Sequence, residues 1–264
     1  MGKLELRGFV SMEGSVGDKY RSHLVGEGER NTRWRHGSPP TYELVNLLFE
    51  QERTKEWPKG SLEETVQNAI KTWEMELSHK TRLQDFKSIN PNSFRLSVNG
   101  AKPLTGEETL AVGSYNALLR SALPEELRCY KADAETFESS HELFRTAFPR
   151  GFAWEVTQVY AGPPTVVCKF RHWDTWKGRL KAMRPPARWC SFMAWPFLSS
   201  PLLMQVDEEL RVEEVEIYYD PGEFLAGLMK GPLISSTGEV ESHATSTVTA
   251  TNPTQNTCPF TRSE

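Results

Sequence analysis

The apolar residues change period once along the chain, and that change restricts what it can fold into. Up to Phe148 they recur at three- and four-residue intervals; from Phe152 onward they alternate with polar ones. Helices followed by strands joined through tight turns predict an α+β fold, with helices packed on one face of an antiparallel sheet.

The helical half divides at its turn residues. Gly37 to Pro40 (GSPP) makes a turn, Thr41 is expected to cap a helix to about Lys55, and Trp57-Pro58 stops it. Ser61 opens a second helix with Glu64 three residues on, a capping-box pattern. Along it Val66, Ile70, Trp73 and Leu77 form one apolar stripe. Phe94 to Val98 reads as a short strand ending at Asn99-Gly100. Thr105 with Glu108 opens a third helix, expected to run to Leu123-Pro124, and Thr136 to Phe148 is a fourth. In the second half, Phe152, Trp154 and Val156 share one strand face. Val166, Cys168, Phe170 and His172 share another, and Val215, Ile217 and Tyr219 a third. Glu223 to Lys230 is expected to close the domain as a short helix.

Composition removes several function classes. The 264 residues carry 31 Lys and Arg against 35 Asp and Glu, a net charge of −4 without the basic excess of a nucleic-acid binder. No apolar run reaches the ~20 residues of a membrane span, and residues 1–17, read as a flexible N-terminus, lack a signal-peptide core. A cytoplasmic protein is therefore expected. Cys129, Cys168, Cys190 and Cys258 lie far apart, which predicts reduced thiols, and no metal-ligand spacing, dinucleotide loop or nucleophile elbow occurs, so no cofactor or metal is expected.

Residues 18–233 are expected to form one domain, followed by a disordered Ser/Thr-rich tail at 234–264. Inside the domain, residues 182–203 stand out. Pro185, Pro186, Pro196 and Pro201 fall where a central strand should run, and sheet interiors exclude proline. The codons of this stretch admit a shifted reading that gives a turn and an apolar strand, so it is read as aberrant, an out-of-frame or mis-spliced segment, the alternative being a divergent loop insertion.

Five blocks are familiar: WRHGSPPTYELVNLLFEQERTKEW (34–57), TWEMELSHK (72–80), FRTAFPRGFAWEV (144–156), CKFRHW (168–173) and EVEIYYDPGEFLAGL (214–228). In this order they resemble the plant pathogen-related proteins, of the SnoaL-like group in the nuclear-transport-factor-2-like superfamily. The resemblance implies a cone, a curved antiparallel sheet closed by N-terminal helices around a pocket, and a role in stress or pathogen response. It implies no defined chemistry.

Three sets of residues are singled out. His172 shares its strand face with apolar neighbours, so its imidazole is expected near the interior, where it serves as an acid–base group or a satisfied core histidine. Glu76 and His79, three apart on the second helix, can reach one spot as an acid–base pair or lie on a solvated face. Trp73, Trp154, Phe152, Phe170 and Tyr219 are candidates for the wall of an apolar pocket, or for ordinary core. The leading expectation is a protein that binds a hydrophobic small molecule. The others are a cofactor-independent cyclase or isomerase of SnoaL type using His172, Glu76 and His79, and a homodimer formed through the outer sheet face.

Overall fold

The computed structural model describes residues 17–128, 130–173, 175–176, 193–194, 198–220, 233–234 and 240–241. Helices α1 (Glu43–Glu52) and α2 (Leu62–His79) come first, followed by strands β1 (Arg95–Val98) and β2 (Leu104–Thr105). Helices α3 (Gly106–Val112), α4 (Ser114–Leu119) and α5 (Phe137–Ala147) lead into β3 (Ala153–Ala161) and β4 (Thr165–Trp173). Short strands β5 (Thr175–Trp176) and β6 (Met193–Ala194) pair with each other, and β7 (Leu198–Val206) and β8 (Val212–Ile217) complete the main sheet. Leu233–Ile234 and Val240–Glu241 form a last small pair.

Six strands make the main sheet in the order β2-β1-β8-β7-β4-β3. It is mixed and not purely antiparallel: β1 runs parallel to β8, with Leu96 opposite Val215 and Val98 opposite Ile217. Register shifts between Val156 and Gln158, Val159 and Ala161, and Gln205 and Val206 mark bulges, which bend a sheet. The apolar stripe of α2 packs into this concavity. Val66, Ile70, Trp73 and Leu77 join Phe94, Leu96, Trp154, Val156, Val166, Cys168, Phe170, Leu202, Val215 and Ile217 in one core.

Several local expectations need correction. α1 begins after Tyr42 with no side-chain cap, so Thr41 is not its cap, and it ends at Glu52. Beyond that end the buried Glu155 carboxylate accepts from the backbone N–H groups of Thr54 and Lys55 at 2.5 and 2.6 Å, which holds the chain out of helix. Ser61 accepts from Glu64 N–H, but the Glu64 carboxylate turns to Gly60 N–H, so the capping box at α2 is half made. At α3 it is complete between Thr105 and Glu108. The single helix expected from Thr105 to Leu123 is two, because Gly113 takes φ 85° and separates α3 from α4.

The proline-rich stretch also needs correction where it is described. Leu198–Val206 is a central strand between β4 and β8 despite Pro201, which lies opposite Lys169. The Pro201 carbonyl accepts from Tyr218 N–H at 3.1 Å. The reciprocal bond is one a proline cannot donate, and β8 ends just before it, at Ile217. The ladder therefore stops where its donor is missing, and the strand survives. Residues 182–192 and 195–197, the closing helix expected at 223–230, and the rest of the expected tail lie outside the described residues.

Candidate functional site

Between the concave sheet and α4 with α5 lies a partly open pocket with a cavity of about 60 Å³. The sheet side is built by Trp154 of β3, Phe170 and His172 of β4 and Ile217 of β8; Tyr115, Leu118 and Leu119 of α4 and Phe144 of α5 face them, with Phe152 and Tyr219 at the sides. The two-residue period of β4 puts Phe170 and His172 on the same inward face as Val166 and Cys168. On α4 the residues Tyr115, Leu118 and Leu119 stand at i, i+3 and i+4, so one helix face supplies the roof.

Aromatic rings run through this wall in contact with one another. His172 stacks on Trp154 with ring centres 4.2 Å apart and lies 4.8 Å from Phe152; Trp154 stacks on Phe170 at 4.6 Å, and Tyr115 on Phe144 at 4.2 Å. Two polar groups interrupt the apolar lining. The Tyr219 hydroxyl donates to the Leu118 carbonyl at 2.6 Å, and burial pushes it up to about 12. The His172 Nε2 is buried and has no hydrogen-bond partner among the described residues. Desolvation holds this imidazole down at about 3, so at neutral pH it is uncharged.

The other residues singled out from sequence lie elsewhere. Trp73 sits in the core against Phe94, ring centres 6.3 Å apart, and does not line the pocket. The buried Glu76 carboxylate accepts from Lys80 Nζ at 2.8 Å, from the N–H groups of Lys87 and Ser88 at 2.9 and 3.0 Å, and from Ser88 Oγ at 2.5 Å. Lys80 also donates to Glu29 at 2.8 Å, so Glu76 anchors the segment before α1 and the turn after α2. The His79 ring packs edge-on to Tyr42 at 5.9 Å and His36 at 6.3 Å, and burial holds it at about 3. Glu76 and His79 thus have separate partners, and neither joins His172 in the pocket wall. Sequence reading missed Tyr115, Leu118, Leu119, Phe144 and Ile217. The i, i+3, i+4 spacing of the α4 trio was the available signal. Among the described residues no group of three or more His, Cys, Asp or Glu is placed to hold a metal ion, and no helix is long and apolar enough to cross a membrane.

No protein-family model matches the chain. A pathogen-related protein of Hordeum vulgare is 49% identical over 229 residues, spanning 86% of this chain and 94% of the barley protein. The chain belongs to the pathogen-related protein family. Similar solved structures include a SnoaL-like polyketide cyclase candidate from Shewanella putrefaciens, 11% identical, covering 69% of this chain and 93% of that one with a TM-score of 0.38. Another, from Jannaschia sp. CCS1, is 12% identical, covers 67% and 100%, and has a TM-score of 0.35. The α+β class of this pathogen-related protein rests on its own strand order and helix packing.

Proposed function

We propose that this pathogen-related protein binds a hydrophobic small molecule in the aromatic pocket, as part of a stress or pathogen response. The observation that carries the reading is the His172 Nε2, without a hydrogen-bond partner among the described residues, in a largely aromatic and aliphatic wall. A pocket with one unpartnered nitrogen among rings fits a planar apolar ligand bearing a hydroxyl or carbonyl group. Burying an unsatisfied ring nitrogen costs about 1–3 kcal/mol, and a ligand that meets it recovers that cost as specificity.

Turnover at His172 by cyclase or isomerase chemistry is the weaker reading. Among the described residues no carboxylate or second histidine lines the pocket with His172, and Glu76 and His79 are committed to other partners. The test is an untargeted metabolite pull-down with the full chain. A retained apolar compound, lost when Leu118→Trp fills the pocket, is the expected result. Equal retention by the wild type and the filled variant would refute the pocket as the binding site.

A further inference from the structure

We propose that Ser114 and His141 form a second, reactive site, a serine–histidine dyad that attacks activated esters of small acyl groups. It lies on the α4–α5 side of the molecule and is independent of the ligand pocket reading.

The dyad is built from one local arrangement. The Phe137 carbonyl, which can only accept, takes a hydrogen bond from His141 Nδ1 at 2.8 Å. The ring proton is therefore on Nδ1, and Nε2 presents a lone pair. That Nε2 lies 3.5 Å from Ser114 Oγ. The ring is held from two sides, stacked on Phe137 at 3.8 Å and edge-on to Tyr115 at 4.8 Å. Gly113 makes the approach possible: a Cβ there would stand 2.9 Å from the Phe137 ring. A nucleophile, a base and a third group that orients the base are the three parts an activated serine needs, and such contacts are commonly loose before substrate binds.

The surroundings suit the task. Ser114 and His141 are both half-buried, so an ester can reach them. Burial, with Arg35 and His36 nearby, holds His141 at about 4, against the Glu138 carboxylate and the Phe137 hydrogen bond, which raise it. The ring facing Ser114 is thus neutral throughout the physiological range. Arg35 lies over the Phe137 ring, 3.5 Å from its centre, and donates from Nη1 to the Glu138 carboxylate at 3.0 Å; its buried Nε has no partner among the described residues, so one spare donor sits near the dyad.

The step balances within the protein and an ester. Ser114 Oγ bonds to the carbonyl carbon while its proton passes to His141 Nε2. The carbon–oxygen bond to the alcohol then breaks, the alcohol leaves with that proton, and water releases the acyl group by the same route.

The test is a fluorophosphonate probe added to the full chain, with peptide mapping by mass spectrometry. The phosphorus–oxygen bond to Ser114 forms as the phosphorus–fluorine bond breaks. The expected result is an adduct at Ser114 whose rate falls about 100-fold or more in His141→Phe, the scale of a lost general base. Should that variant not fold, the wild-type pH profile decides: the rate stays level between about pH 6 and pH 8 because the base is already free, whereas hydroxide-driven labelling climbs about tenfold per unit. No adduct at Ser114, a rate unchanged by His141→Phe, or a rate climbing with pH would each overturn the proposal.

Discussion

At the residue scale, two side chains on α2 and one on β4 show how burial assigns roles that charge alone does not. Glu76 is fully enclosed with four hydrogen bonds from Lys80, Lys87 and Ser88, so it is a structural ion. Glu76→Gln leaves the equally buried Lys80 with Glu29 as its remaining carboxylate partner, and a loss of about 1.5–3 kcal/mol in urea unfolding is expected. Lys71 is the reverse case. Its Nζ stands 3.1 Å from the centre of the Phe49 ring and 4.1 Å from that of Tyr20, with no hydrogen-bond partner among the described residues. Desolvation, helped by Arg21, holds it at about 6, against an ordinary 10.5. The unfolded chain therefore binds a proton that the folded chain releases between those values, and folding is penalised at pH 7. Lys71→Met removes the penalty: a gain of about 1–4 kcal/mol at pH 7, shrinking as pH rises toward 10, is the expected denaturation result. The Nε2 of His172 is buried with no hydrogen-bond partner among the described residues, which is why it is read as a ligand contact.

At the element scale, the change of period told helices from strands because side-chain alternation is a local property. The inward face of β4, with Phe170 and His172, was legible for the same reason. Pairing was not. β1 meets β8 in parallel across more than a hundred residues, and no local pattern encodes that neighbour. The partners of Glu76 and His79 come from the segment before α1, the turn after α2 and Tyr42, which is equally remote from helix periodicity. Gly113 was overlooked as a break because glycine inside an apolar helical pattern is only a weak signal. Its φ of 85° and the 2.9 Å approach to Phe137 make Gly113→Ala strained and crowded. A loss of about 1–3 kcal/mol by thermal unfolding is expected.

At the scale of the whole molecule, acid should weaken the fold through its buried histidines. His79 and His172 are held at about 3 and His141 at about 4, all below the ordinary 6.5. Each is neutral in the folded state and takes up a proton on unfolding, so stability is intact above about pH 6.5 and falls as pH drops toward those values, by up to about 1.4 kcal/mol per unit per histidine. Urea midpoints from pH 7 to pH 4.5 should decline steadily, and His79→Phe should flatten the slope. The same desolvation acts on His172 in the aromatic pocket wall, where its Nε2 has no hydrogen-bond partner among the described residues.

That pocket is the central claim, and a fluorescence titration with anilinonaphthalene sulfonate tests it most directly, since Trp154 in the wall reports on occupancy. One saturable site with quenching of tryptophan emission is predicted, abolished by Leu118→Trp and weakened about five- to tenfold by His172→Leu, the loss of roughly one hydrogen bond. Binding that fails to saturate, or that persists unchanged in Leu118→Trp, would contradict it.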